Sequence, residues 1–291
     1  MNMNKLIPTI SKFTLCISLL ESFLITKSSD AFFPKINEPN KQELQSSSIK
    51  IGKTAIQLIQ FGQNQEAINL LKLGIKLNPK EIALWISLAE AQIRSNKKHE
   101  ALSSINEAIK LNPKEQNTYI TKASIYMDLN DPQKGKVSVE KGLSINKNNE
   151  KGYFLLGNCE IMLNNYESAL IAFKKSSKIK PNFWQAINNE GLLLYELDNL
   201  QEAINKFRLA SKISNDAEPM LALAIALFSI DNKSIESIKL AKNALKSNPK
   251  YVSNEYQAKQ LWGKKLQKLA QVLFRIEEME KAVEEAKEKT Q

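Results

Sequence analysis

The sequence predicts an all-α chain, a right-handed solenoid of six helical hairpins closed by a C-terminal capping helix. Three observations carry this. Only 9 Gly and 9 Pro occur among 291 residues, a scarcity that disfavours turn-dense β architectures. Pro79, Pro113, Pro181 and Pro249 fall on one period of 34 residues, with the Pro absent at the two intervening steps, Lys147 and Asn215. Small residues keep the same register at Ala55, Ala89, Ala123, Gly157 and Gly191. Self-similarity at a fixed period means stacked supersecondary units, each burying its apolar face only against its neighbours.

Residues 1–31 read as a leader. Lys5 and Lys12 precede the apolar stretch Phe13 to Ile25, and a polar run with small residues at Ser29 and Ala31 follows, the pattern of a secretory signal. The stretch is shorter than the about 20 residues a membrane span needs, and it contains Glu21. Leu15 is too bulky a neighbour for a lipid-modified Cys16. An amphipathic leader helix, or a retained membrane anchor through residues 6–25, is the alternative. A cleaved leader places the array outside the cytoplasm, in a periplasm or a thylakoid lumen; a retained one leaves it membrane-anchored or cytoplasmic. Residues 32–47, FFPKINEPNKQELQSS, read as a flexible linker.

The body divides into six units, 48–81, 82–115, 116–149, 150–183, 184–217 and 218–251. A second small series runs Ala67, Ala101, Gly135, Ala169 and Ala203, and a third runs Gly74, Ala108, Gly142, Ser176, Ala210 and Ala244. Bulky residues recur at Leu71, Ile105, Val139, Phe173 and Phe207, with aromatics nearer the unit starts at Trp85, Tyr119 and Tyr153. Spacings within a unit are multiples of three and four, so two antiparallel helices fit each one. Glu66, Glu100, Glu202 and Glu236 open the second helices, and Lys76, Lys110, Lys178, Lys212 and Lys246 close them. These charges complement the helix macrodipole. The lysine ridge is also a candidate rail for an acidic partner. Pro132 and Gly135 are expected to fray the third unit. In the sixth, Ser237 replaces the small Ala, and Leu221 to Ile230 is apolar nearly all round, as in a helix buried on both sides.

Beyond Tyr251 the period stops. Trp262, Leu266, Leu269, Leu273 and Ile276 form one stripe of a longer helix, which caps the array or binds a partner. From Glu277 on, the charged text predicts a solvated, fraying tail.

Tyr153-x2-Leu156-Gly157, Ala169-x3-Phe173 and Pro181 are the best match to a known pattern, and the units resemble the tetratricopeptide repeat. The resemblance spans all six units. It implies a concave groove lined by the first helix of each: Ile86, Glu90 and Ile93; Ile120, Ser124 and Met127; Phe154, Asn158 and Ile161; Asn188, Asn189 and Tyr195, with Lys151 and Gln185 at the edge. Apolar side chains would hold a peptide's anchors and Asn amides its backbone; packing against the adjacent helix is the alternative for the Ile and Met residues. Some family members clamp a terminal carboxylate, but Phe154, Leu192, Pro219 and Leu223 stand where that pattern needs polar partners. The text Gln260 to Leu266 resembles tails of photosynthetic-lineage repeat proteins, some of which assist photosystem assembly.

Composition narrows the chemistry. One His, His99, and two Cys, Cys16 and Cys159, exclude a disulfide framework and a Cys/His zinc site. Phosphate-loop, dinucleotide and H-E-x-x-H signatures are missing from the sequence. No catalytic residue, metal or cofactor is expected, and the chain reads as a non-enzymatic scaffold or adaptor. Its partner is a protein, presented as an extended peptide or an amphipathic helix. The formal charge is +10, yet only Arg94, Arg208 and Arg275 stand among the 41 basic residues, which argues against nucleic-acid recognition. A lysine-rich binder of anionic membrane or nucleic acid is the competing class, and it predicts salt-sensitive binding. The oligomeric state is left open.

Overall fold

The computed structural model describes residues 39–290. The leader, 1–31, and residues 32–38 of the linker lie outside the described residues. Residues 44–291 form one compact unit. Every regular element among the described residues is helical.

Helix α1 runs Lys41–Gln60, so the helix begins inside the stretch expected to be a linker. A capping box starts it: the Asn40 amide donates to Glu43 Oε2 at 3.0 Å, and the Glu43 amide donates to Asn40 Oδ1 at 3.0 Å. The first helices of the next five pairs are α3 (Ile82–Arg94), α5 (Gln116–Asp128), α7 (Glu150–Met162), α9 (Trp184–Glu196) and α11 (Ala217–Phe228). The second helices of the six pairs are α2 (Asn64–Leu77), α4 (Lys98–Leu111), α6 (Pro132–Ile145), α8 (Tyr166–Ile179), α10 (Leu200–Ile213) and α12 (Ile235–Ser247). From α2 to α12, consecutive helices pack on one another.

The hairpin turns keep their own period. Gly62, Asn96, Asn130, Asn164 and Asp198 all have φ between 57° and 77°, the left-handed region that Gly, Asn and Asp tolerate. At each, the next amide reaches back to a carbonyl of the first helix: Gln63 to Leu58, Lys97 to Gln92, Asp131 to Tyr126, Asn165 to Glu160 and Asn199 to Leu194, at 2.8–2.9 Å. This closure leaves few helix-end carbonyls unpaired. The proline turns between units are tied by aromatics: the Trp85 indole donates to the Pro79 carbonyl at 2.9 Å and the Tyr119 hydroxyl to that of Pro113 at 3.1 Å.

The small and bulky columns meet. A Cβ built on Gly157 would lie 2.5 Å from Phe173 Cε1, and one on Gly191 would lie 2.7 Å from Phe207 Cε1. Where the bulky partner shrinks to Leu71, Ile105 or Val139, the small residue is Ala55, Ala89 or Ala123, and all six are fully buried. Helix spacing within each pair is therefore set by a complementary couple.

Two expectations are corrected. Pro132 does not fray the third unit: it sits at the first position of α6, where its missing N–H costs nothing, and Asp131 caps that helix by accepting from the Lys134 amide. The C-terminal segment is not one long helix with a solvated tail. It breaks into α13 (Asn254–Lys259), α14 (Lys264–Leu273) and α15 (Glu280–Glu288). Trp262 lies before α14 and Ile276 after it, and Met279, Val283 and Ala286 of the charged tail are buried against α12 and the 3₁₀ turn at Pro249–Val252.

Helix α11 is buried on both sides, as its apolar composition implies, because α14 lies across α9 and α11. Leu266, Ala270 and Leu273 of α14 join Leu192, Leu221 and Ile225 in one continuous core. Ser237 fits the small column by donating to the Ala224 carbonyl at 2.7 Å.

Candidate functional site

The folded-back C-terminal arm walls one end of an open groove along the first helices. A cavity of about 1040 Å³ is lined by Met127, Asp128, Phe154, Asn158, Met162, Trp184, Gln185 and Asn189 from α5, α7 and α9. Asp216 and Glu218 close it at the start of α11, and Tyr251, Tyr256 and Leu261 at the arm.

Polar latches seat the arm. The Glu196 carboxylate accepts from the amides of Lys265 at 3.1 Å and Leu266 at 3.0 Å, capping the N-terminus of α14 from another helix pair. The Lys265 ammonium donates to Asp198 Oδ1 at 2.6 Å and to the Glu196 carbonyl at 2.8 Å. Gly263 is required here, since a Cβ would lie 2.0 Å from Glu196 Cδ. Leu261 has φ of 63°, a conformation costly for a bulky residue and held by the docked arm on either side of it.

At the groove's centre the Asn189 amide donates to Asn158 Oδ1 at 3.1 Å, bridging α9 and α7. Beside this pair, Phe154 packs on Phe173 and Phe183 with ring centroids 5.8 and 5.2 Å apart. At the arm end, the Trp262 indole donates to Glu218 Oε1 at 3.0 Å. Burial pushes the Glu218 carboxyl up to about 7. The same burial raises the Tyr251 hydroxyl, with the Glu218 charge adding to it.

Of the fourteen residues expected along the groove, Met127, Phe154, Asn158, Gln185 and Asn189 meet in the wall of this cavity. Ile86 and Ile93 instead pack beside Ile105 and Ile125, and Ile120 packs beside Val139. Ile161 packs against Phe173, and Tyr195 against the large C-terminal core, its hydroxyl raised by burial. Asn188 is fully buried rather than on the groove surface. Glu90 is exposed and pairs with Arg94 at 3.0 Å; Ser124 and Lys151 do not line the cavity. Sequence reasoning missed Trp184, Glu218, Tyr251 and Tyr256. The available signal was Trp262-Gly263 in a segment that leaves the repeat register with an apolar stripe still to cover.

His99 and Cys159 lie on different helix pairs, α4 and α7. His99 is exposed at the start of α4, whereas Cys159 is buried and its thiol is pushed up to about 12 by that burial, which keeps it protonated and unreactive.

Comparison with known proteins fits this architecture. The tetratricopeptide-repeat pattern matches residues 58–125, 117–149 and 150–183. No curated protein matches the sequence. Among solved structures, PilF of Pseudomonas aeruginosa superposes with a TM-score of 0.63 at 16% identity, over 76% of this chain and 98% of that one. PilW, described as a widely conserved type IV pilus biogenesis factor, gives 0.62 at 18% identity over 72% and 97%. MamA gives 0.51 at 20% identity over 59% and 92%. Residues 58–183 are thus tetratricopeptide repeats, and helix pairs of the same kind continue to residue 247.

Proposed function

We propose that this chain is a non-catalytic interaction scaffold that holds an extended segment of a partner protein in the open groove over α5, α7 and α9. The Asn158–Asn189 bridge carries this reading. Once joined by one hydrogen bond, the pair keeps a free acceptor on Asn189 and free donors on Asn158, the complement of the N–H and C=O of a peptide unit. Met127, Phe154, Met162 and Trp184 supply apolar contact beside it. An amphipathic helix is the less favoured occupant, because the end of α9 that carries Leu192 and Glu196, together with α11, is already covered by the chain's own α14.

Crosslinking capture from the native source, with the double variant Asn158→Ala/Asn189→Ala as control, tests the groove. Loss of capture with unchanged thermal unfolding supports it; undiminished capture sinks it. Capture that collapses between low and moderate salt would favour the lysine-rich surface instead. An extracytoplasmic location, and with it an assembly role at a membrane complex, rests on the sequence pattern of residues 1–31. Mass spectrometry of the N-terminus tests that. No described helix is long and apolar enough to cross a membrane.

A further inference from the structure

The arm end of the groove differs from its centre in chemistry. Its walls are aromatic, with Trp184, Tyr251 and Tyr256 lining the cavity and Tyr251 packed edge-on to Tyr256 at 4.9 Å and tilted on Trp262 at 5.6 Å. Its unpaired charges are acidic: Asp216 and Glu218 line it, and neither is in an ion pair among the described residues. The groups acting on Glu218 are the Trp262 indole, the Tyr251 hydroxyl, Asp216 and Asn188, none of them a cation. The cations that do line the groove are engaged: Lys98 donates to the Asp128 carbonyl at 2.6 Å, and Lys259 to Glu255 at 2.7 Å. Acidic lining in a chain of net charge +10 runs against the overall field.

Both acids have a structural use, and that use does not account for them. Asp216 caps α11 by accepting from the Glu218 amide at 3.1 Å, a task Asn or Ser performs equally well. Glu218 accepts from Trp262, and a Gln would accept the same bond without burying a carboxyl. A second, independent sign is Asn188. It is fully buried, and neither its amide oxygen nor its amide nitrogen has a hydrogen-bond partner. An unsatisfied buried amide costs on the order of 1–3 kcal/mol, and the Glu218 carboxyl is its neighbour.

We propose that the arm end of the groove is a subsite for a cationic side chain, a lysine or arginine of the bound segment, seated against Asp216 and Glu218 within the Trp184, Tyr251 and Tyr256 wall. The inference deepens the groove reading and rests on it. A cation in this place restores the charge balance that the fold leaves open. The aromatic faces add cation–π attraction, and the low local dielectric strengthens both contributions. The guest enters from the open groove over α9, so the basic residue is fixed in register with the apolar anchors at Met127, Phe154 and Trp184.

Two measurements on the full chain test this separately from the groove itself. Selection from a random twelve-residue peptide library is expected to enrich Lys or Arg at one fixed offset from apolar positions. Glu218→Gln, which keeps the Trp262 acceptor, is expected to abolish that preference while the apolar positions stay enriched, and to weaken a selected peptide roughly tenfold or more. Apolar enrichment without a basic position overturns the subsite and leaves the groove. The second probe is n-butylammonium chloride, followed by the indole N–H resonance of Trp262, with n-butanol as the neutral control. A saturable shift with the ammonium alone supports the subsite even if no peptide is selected, which would sink the groove reading only. Equal response to both probes, or the same response in Glu218→Gln, overturns it.

Discussion

The couple formed by Gly157 and Phe173 makes a sharp prediction about how this array sets its helix spacing. Replacing Gly157 by Ala places a methyl 2.5, 2.7 and 2.8 Å from three carbons of the Phe173 ring, where ordinary contact needs about 3.5–4.0 Å. The ring must retreat by about 1 Å, yet it is fully buried. Overpacking of this kind costs typically 1–3 kcal/mol, and the better helix propensity of Ala returns up to about 1, for a net loss of about 1–2 kcal/mol. Phe173→Leu alone leaves a void and costs on the order of 1–2 kcal/mol. The double variant recreates the Ala and Leu couple of Ala55 and Leu71. It is therefore expected to be more stable than the sum of its parts by about 2 kcal/mol. Urea titration of the full chain, at unchanged slope, reads this coupling from three midpoints. Strict additivity would show that the columns are near one another without constraining one another.

Other outcomes follow from the same structure. Glu218 has a folded-state value of about 7 against 4.5 in the open chain, so the folded state binds the extra proton and stability falls as pH rises through that window. Glu218→Gln should stabilise the ligand-free chain at pH 8 by up to about 3 kcal/mol and by nothing near pH 4; equal stabilisation at both values refutes the burial of the carboxyl. Glu196→Ala removes the cap of α14, at an expected cost of about 1–2 kcal/mol, and should open residues 254–290 to limited proteolysis while the helix pairs before α9 stay protected. Gly263→Ala should do the same, because Glu196 can yield only by releasing the Lys265 and Leu266 amides; unchanged protease resistance would place the arm elsewhere. Gly157→Leu, the more severe version of the overpacked couple, should lower the melting temperature further than Gly157→Ala.

The repeat was legible because its signals are local. Proline turns, small columns and helix-end charges each depend on residues within one unit, so the period and the helix pairs could be placed without knowing the neighbours. The left-handed column at Gly62, Asn96, Asn130, Asn164 and Asp198 was equally local and went unread because Asn and Asp look like ordinary loop residues. The groove was half legible. Asn189 and Asn158 point into it, while adjacent Asn188, turned 100° around the same helix, is buried beneath. A one-residue rotation decides between ligand contact and core, and repeat alignment alone does not resolve it. The arm was the least legible part. Its stripe declares an amphipathic helix, but the surface it covers is set by Glu196, Asp198 and Glu218, which lie 44 to 70 residues away along the chain.

Docking of α14 across α9 and α11 also bears on how such an array can change its length in evolution. Gene duplication adds or deletes repeats wherever one unit looks like the next, and the units up to α8 meet that condition. A copy inserted between the fifth and sixth would carry Glu196 and Asp198 one step away from Lys265, and Trp262 away from Glu218 or from its seat beside α9. The C-terminal third is thus locked in copy number, and growth or shrinkage of the lineage is confined to the N-terminal side.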